Sequence, residues 1–401
     1  MTTGLDVMLA AAGLPVLAAA GYLLALTALW RRPAPAERST GGLRFCVLVP
    51  AHNEARGIGA TIRSLRAADY PAAHLRLVVV ADNCSDDTAA EAEAHGAEVL
   101  VRSDEVRRGK GYALQFGIAW ALRETGRHGA WDALAVIDAD TVVDAGLFHG
   151  LARRIEAGAS AVQAAYLPRP GRTHATAVIT HVAFVAFHLV RSAARERLGL
   201  SCGLRGNGMA FRRSLLGEVA HDAFSRTEDL EFGIQLGLRG VRVVFACDAR
   251  VYGDMPDARG AVRHQRERWM GGRAAIAKRF VGALFSKALR ERSAVAADLA
   301  VDVLIPPVSA LAAVALAGFV AGTALDVATA ARGLAEAVWG AALAAIMAHV
   351  THAAWVSGHG AAFARAAFAV PGYALDKTIT LLRVVGRADE TWVRTPREGE
   401  R

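Results

Sequence analysis

Cysteine is scarce in this sequence. The 401 residues contain four, Cys46, Cys84, Cys202 and Cys247, and no C-x-x-C pair. That scatter excludes a cysteine zinc site and a disulfide framework, and it fits a reducing compartment. Also missing is the interleaving of aromatic and basic residues that marks nucleic-acid recognition. The formal net charge is +8, which would otherwise make nucleic acid the first partner to consider; without that pattern it is set aside. The third scarcity is of charge itself, over long stretches. The chain is 53% hydrophobic with a mean hydropathy of +0.27, more apolar than an ordinary soluble chain.

The uncharged runs are localised. "VMLAAAGLPVLAAAGYLLALTALW" (7–30) ends at Arg31-Arg32 and is long enough to cross a hydrocarbon core of about 30 Å. Its positive charges follow the apolar run instead of preceding a shorter one, so it reads as a retained anchor and not a cleaved signal. "VLIPPVSALAAVALAGFVAGTAL" (303–325) is a second span. The run 337–364 is a third, of which three histidines (349, 352, 359) leave only the first two-thirds to lipid; the histidines read as an interfacial cluster, not a metal site. Stretch 366–385 is interrupted by Pro371, Asp376, Lys377 and Arg383 and reads as an amphipathic interfacial helix. The basic flanks "RRPAPAER" and "KALRERS" both belong to the middle segment, which places it on the cytoplasmic face of a cell membrane. Spans two and three then form a hairpin, and the basic tail "WVRTPREGER" returns inside. The excess arginine suits an anionic inner leaflet. The expected organisation is an anchor over 1–40, a cytoplasmic domain over 41–290, a helix hairpin over 291–360, and an interfacial helix with basic tail over 361–401.

Within the middle segment short apolar runs alternate with helical patterns. "FCVLVP" (45–50), "LRLVVVAD" (75–82), "AEVLVRS" (97–103) and "ALAVIDAD" (133–140) are strand candidates, each followed by a helical stretch. Continuous apolar strands separated by helices predict an α/β domain with a parallel sheet covered on both faces. Ligands of such sheets bind beyond the C-terminal strand ends. There this chain carries "PAHNE" (50–54), "ADNCSDD" (81–87) and "DAD" (138–140). Asp82 can accept from a uracil N–H or a ribose hydroxyl. Asp138 and Asp140 suit Mg2+ or Mn2+, which favour carboxylate oxygen and bridge phosphates. Without a cation the two carboxylates would repel a diphosphate. "RRGKGYAL" (107–114) places Lys110 between two glycines, where backbone and ammonium can approach a phosphate. "TEDLEFGIQLGLRG" reads as a helix with Thr227 as its N-cap and an acidic first turn.

Taken in order, "VPAHNE", "ADNCSDDT", "GKG", "DAD", "TED" (227–229) and "QRERW" (265–269) resemble the membrane-bound family 2 glycosyltransferases. That branch includes cellulose, chitin, hyaluronan and poly-N-acetylglucosamine synthases and ceramide glucosyltransferase-like enzymes. The resemblance covers roughly 43–273 and implies the GT-A fold, a Rossmann-like nucleotide-sugar transferase domain, with about three transmembrane helices. It implies a nucleotide-sugar donor, a UDP-hexose first, and a lipid-linked or polysaccharide acceptor. Asp229 is then the catalytic base, Glu228 its support, and Asp140 with Asp138 the metal pair. The donor-side set is Pro50, Asn53, Glu54, Asp82, Lys110 and Asp138, joined by Gln265, Arg268 and Trp269 at the acceptor end. Arg268 would meet diphosphate oxygens and Trp269 a sugar face. "GLRGNGMAF" (203–211) would shape the acceptor pocket through its glycines, and Asp254 is structural. The chain departs from the family pattern at Ala81, where many relatives carry an acidic residue, so only Asp82 carries over. Three spans are few for a polysaccharide channel, which favours a lipid-linked or short acceptor, or assembly from several chains or with export partners. A processive exopolysaccharide synthase subunit and an inactive nucleotide-sugar-binding scaffold are the alternatives. A nucleotidyltransferase would share the sheet and carboxylates without explaining "TED" followed by Q-x-x-R-W.

Overall fold

The computed structural model describes residues 2–32, 37–124, 131–171, 173–255, 259–329 and 333–384. The basic tail 392–401 lies outside the described residues. The chain divides into two compact units. One is built from 32–170 and 198–301, the other from 1–31, 171–197 and 302–387.

In the first unit, among the described residues, eight strands form one sheet. They are β1 (Phe45–Ala51), β2 (Leu75–Asp82), β3 (Glu98–Arg102), β4 (Ala133–Val136), β5 (Thr141–Val143), β6 (Ala161–Pro168), β7 (Met209–Arg212) and β8 (Val243–Gly253), in the order β3-β2-β1-β4-β7-β6-β8-β5. The first four are parallel, with Val47 opposite Leu77 on one side and Ala135 on the other. The expectation of a wholly parallel sheet is corrected beyond β4. There β7 runs antiparallel to both β4 and β6, and β5 antiparallel to β8. The fold class is α/β as expected, with a mixed sheet.

Helices cover the sheet because their apolar residues recur at helical spacing. Ile58, Ile62 and Leu65 of helix Ile58–Arg66 and Leu147, Leu151 and Ile155 of helix Leu147–Glu156 are fully buried against β1 and its neighbours. Each such side chain contributes about 1.5–3 kcal/mol of burial. Phe45, Tyr70 and Phe148 meet edge-on or tilted in the same layer. Helix Lys110–Arg123 lies close on the other face. A Cβ on Gly117 would come within 2.6 Å of Leu48.

The second unit is helical. Its long apolar helices are Gly4–Leu29, Ala175–Arg197, Val308–Thr329 and Leu334–Val356. Three were expected. The one not singled out, 175–197, includes a π-helical stretch over Val185–Val190. It also carries Arg191 and Arg195, both fully buried against Asp302. The second expected span begins later than its hydropathy suggested, because Pro306-Pro307 ends one helix at Leu304 and the next starts at Val308. The third ends at Val356, before a turn through Gly358 (φ +73°). Small residues set the spacing. A Cβ on Gly318 would enter the Trp339 ring, and one on Gly13 would meet Val338 and Trp339. Asp6, 1% exposed, accepts from the backbone N–H groups of Leu334 and Ala335 at 3.3 and 2.8 Å. It thereby caps a helix that starts more than 300 residues later. His349 Nδ1 lies 2.7 Å from Thr27 Oγ1, His352 stands edge-on to Trp30, and His359 faces His181. The three histidines of the third run thus take separate partners. Helix Val370–Val384, inside the stretch expected at the interface, packs along Val308–Thr329.

Candidate active site

The acidic residues expected at a strand end sit just beyond it. β4 stops at Val136, and Asp138–Asp140 form a turn closed by Thr141 N–H donating to Asp138 O at 3.2 Å. The turn is held from the loop that leads into β7. Asp138 N–H donates to Asn207 Oδ1 (3.2 Å), and Asn207 Nδ2 donates to Thr141 Oγ1 (2.8 Å). Gln163, buried in β6, fixes the same loop by donating to Asn207 O and accepting from Arg205 N–H. Asn207 and Gln163 were not among the expected site residues. The "GNG" of 206–208 was the available signal, because glycines around a buried amide mark a close backbone approach.

Lys110 starts its helix and reaches across the site. Its Nζ lies 2.5 Å from Asp138 Oδ1, 2.5 Å from Gly206 O and 3.5 Å from Glu228 Oε1. Burial by itself would depress this ammonium. The carboxylates of Asp138, Glu228 and Asp229 outweigh that, so it is held above its usual value. Burial raises the Asp138 carboxyl, against the pull of Lys110 and with the push of Asp140. Asp229 stands in the first turn of helix Glu228–Leu238. Burial, then the neighbouring Glu228 charge, pushes its carboxyl up to about 6. That is the range in which a carboxylate is ionised near neutrality and still basic enough to take a proton. Gly206 (φ +80°) is the spacer between these groups. A Cβ there would fall 3.1 Å from Asp229 Oδ2 and 3.5 Å from Lys110 Nζ.

Thr227 occupies the N-cap position, but its hydroxyl makes no capping bond, which corrects the expected cap. It faces Gly272 of helix Arg259–Arg290, where a Cβ would come within 2.5 Å of Thr227 Cγ2. That contact brings the Q-x-x-R-W helix against the helix that carries Asp229. Gln265, Arg268 and Trp269 are partly buried one to two turns before Gly272. Arg268 Nε is buried without a hydrogen-bond partner among the described residues. Glu231, 2% exposed, accepts from Phe224 N–H, Ser225 N–H and Arg279. It fixes the turn ahead of Asp229 to the same helix. Glu231 was not among the expected site residues, since its partners lie 6, 7 and 48 residues away.

At the other end of the sheet edge Asp82 is paired. Its Oδ1 accepts from Arg102 at 2.5 Å and from Asn83 Nδ2 at 3.0 Å. Arg102 is 8% exposed, also holds Asp104 and Arg107 O, and lies 5.9 Å from the centre of the Tyr112 ring. Tyr112 in turn stacks on Phe224 at 4.3 Å. Pro50 lies within β1 opposite Val80. Asn53 (φ +55°) accepts from Ser85 N–H, and Glu54 N–H donates to Thr88 Oγ1. The "HNE" and "DNCSDD" loops are thus joined to one another. Asp254 pairs with Arg169 at 3.2 Å.

A parallel half-sheet with carboxylates at the ends of β2 and β4, and a raised carboxyl on an adjoining helix, puts the acidic groups where α/β sheets bind ligands. Residues 43–272 match the family described as Glycosyltransferase like family 2. The chain belongs to that family. It is 26% identical over 260 residues to the probable glycosyltransferase YdaM of Bacillus subtilis, covering 62% of this chain and 59% of that protein. It is 27% identical over 233 residues to the beta-monoglucosyldiacylglycerol synthase of Synechocystis, covering 57% and 47%. The chain therefore spans about half to three-fifths of these relatives' lengths. Among solved structures, the mannosyltransferase PcManGT of Pyrobaculum calidifontis, determined with GDP-Man and Mn2+, superposes with a TM-score of 0.57 at 17% identity, over 95% of this chain and 99% of that one. That likeness is one of fold.

Proposed function

We propose that the protein is a membrane-anchored, inverting hexosyltransferase that moves a sugar from a nucleotide donor, UDP-linked, to the hydroxyl of a lipid-linked acceptor. The observation that carries this reading is the joining of Asp138 to the Asp229 turn through one ammonium, Lys110, with Asp229 raised to about 6. The acceptor oxygen attacks the anomeric carbon as the bond from that carbon to the diphosphate breaks. The proton leaves the hydroxyl for Asp229, and the nucleoside diphosphate departs with the bonding pair. Asp82 with Arg102 holds the nucleoside; Pro50, Asn53 and Glu54 frame its side of the cleft. Lys110 and Arg268 face the diphosphate, Gln265 lies beside them, and Trp269 offers a ring to a sugar face.

The residues present suit a hard divalent cation. Asp138, Asp140, Glu228 and Asp229 supply oxygen only, and the Lys110 ammonium sits among them. Among the described residues no three metal-binding side chains converge. Mg2+ or Mn2+ would therefore take Asp140 and Asp138, with donor phosphate and water completing its shell. Such an ion offsets the negative charge that grows on the leaving diphosphate.

The membrane location, with the sheet unit cytoplasmic, rests on the long apolar helices and the basic flanks of the middle segment. A lipid-linked acceptor fits the small number of crossing helices, and one relative is named for a glycolipid synthesis. The test is Asp229→Asn in purified membranes. It is expected to lower transfer at least a hundredfold while nucleoside diphosphate still binds, and a chelator should stop the unaltered enzyme. Full transfer by the variant would refute the base assignment.

A further inference from the structure

Among the described residues four helices are long and apolar enough to cross a membrane, yet one of them has nowhere to cross to. We propose that helix Ala175–Arg197 lies in the plane of the membrane surface, on the side that carries the sheet, and docks on lipid at headgroup depth. The chain then crosses the bilayer three times. This inference rests on the reading that the other three helices do cross.

The first argument is continuity of the sheet. The helix is inserted between β6 and β7, and these strands pair directly, Ala161 with Phe211 and Val162 with Ala210. β6 also pairs with β8 from Ala161↔Val243 onward. One hydrogen-bonded sheet cannot have strands on both sides of a bilayer, so the chain that leaves after β6 must return to the face it left.

The second argument is reach. Arg169 N–H is still bonded to Gly253 O at 3.0 Å. Leu200 O already accepts from Arg242 at 2.9 Å, and Cys202 N–H donates to Val243 O. Between these bonds and the helix the sequence has only 170–174 as a leash on one side and 198–199 on the other. Extended, they reach about 20 Å and about 10 Å. A crossing would leave one leash to span a core of about 30 Å, with peptide groups bare in hydrocarbon. Neither leash can.

The third argument comes from the helical unit alone. At about 1.5 Å per residue the helix is about 34 Å long. A crossing helix of that length would run alongside its neighbours from end to end. The polar and ring contacts of this one gather at one end of the bundle. His181 faces His359, three residues past helix Leu334–Val356. Arg195 donates to Tyr22 Oη at 2.6 Å, and Arg197 to Leu29 O at 3.3 Å, both in the last third of helix Thr2–Leu29. Arg191 and Arg195 share Asp302, six residues before helix Val308–Thr329. These are the end of the first crossing, the start of the second and the end of the third. In a three-crossing chain all three lie on one side. The helix lies across them. The two buried arginines and their carboxylate then sit at the polar boundary and not at the bilayer centre, where charge is most costly.

The test uses the full chain in sealed vesicles, with Cys84 and Cys247 replaced by serine. Single cysteines at Val106, Thr173 and Leu198, all exposed, are treated with an impermeant maleimide from one side. All three are expected to react together. Reaction of Thr173 and Leu198 from opposite sides would overturn the proposal. Nitroxide labels at Thr176, Ala183 and Ala193 then report depth by oxygen and nickel accessibility, with Val320 of helix Val308–Thr329 as reference. The three are expected within about 10 Å of the headgroups, and Val320 deeper. A label at Ala183 near the centre with the flanking labels at two surfaces would overturn the in-plane assignment. All three in water beside a deep Val320 would overturn lipid docking. Val320 in water as well would remove the membrane reading on which both stand.

Discussion

Replacing Lys110 by methionine keeps the aliphatic stem and removes one charge from the centre of the site. Its Nζ is 2.5 Å from Asp138 and 3.5 Å from Glu228. The point that a Cβ on Gly206 would occupy is 3.5 Å from Nζ and 3.1 Å from Asp229 Oδ2, so the ammonium and the base lie within about 6.5 Å. At an effective dielectric constant near 20 a unit charge at that range is worth about 2.5 kcal/mol, close to 2 pKa units. Solvent at this partly open cleft trims the shift to about 1.5 units. Lys110 lowers the Asp229 carboxyl, so its removal moves the base up, from about 6 to about 7.5. At pH 7 the ionised fraction falls from about nine-tenths to about one-quarter. The assay is kcat/KM for nucleoside diphosphate release between about pH 5 and 9, at fixed ionic strength and saturating divalent cation, since its acid limb reports the base of the free enzyme. The limb is expected to move to higher pH by 1 to 2 units, roughly, and the plateau to fall with the lost diphosphate contact. A limb that stays in place or moves to lower pH would refute the coupling of Lys110 to Asp229.

Three further outcomes follow from the same geometry. Because the folded state holds the Asp229 proton more tightly than the unfolded chain does, this residue's contribution to stability is present below about pH 4 and lost as pH rises through about 6. Asp229→Asn should therefore unfold at a higher temperature than the unaltered protein at pH 7, by the equivalent of about 1–3 kcal/mol, and the gap should close in acid; a constant gap would contradict the raised carboxyl. Arg102→Met leaves Asp82 buried and unpaired, at an expected cost of about 3–5 kcal/mol, read as a lower melting temperature together with weaker nucleotide binding; an unchanged melting temperature would show the pair to be dispensable. Gly206→Ala forces a side chain into a left-handed conformation beside the base. It should cut kcat by about tenfold or more with little change in donor KM, the strain costing about 1–2 kcal/mol; a shift confined to KM would place Gly206 in donor binding instead.

Much of the frame was legible because it is local. The starts of β1 and β2 fell where apolar runs begin, and helices followed where the period changed to 3.6. The antiparallel β7 was not legible, since "GMAF" carries no mark of direction and its partners Ala133–Val136 and Ala161–Gln163 lie far back in the chain. Asp138 and Asp140 stood out as carboxylates at a place where an α/β sheet binds ligands, and Asp229 only through the resemblance of "TED" to the family's motif. Lys110 was legible as a phosphate-loop residue, but its grip on Asp138 spans 28 residues and only the fold supplies it. Arg102 was hidden inside "AEVLVRS" as one more strand residue, although it neutralises Asp82. Helix 175–197 was missed for a related reason. Its arginines break the apolar run, and the carboxylate that absorbs them, Asp302, comes more than 100 residues later.

Asp6 has a consequence for how the molecule is made. The two peptide groups that satisfy its carboxylate belong to Leu334 and Ala335, so a ribosome supplies them only after the catalytic sheet has been synthesised. At translation rates of about 5–20 residues per second, the first helix waits for tens of seconds with an acid lacking its final partners. On the proposed membrane reading, the carboxylate would have to stay hydrated at the bilayer surface during that interval. The last long helix therefore locks the first in place, and removal of residues after 301 would take from Asp6 its two backbone donors, from Thr27 its contact with His349, and from Arg191 and Arg195 the carboxylate of Asp302.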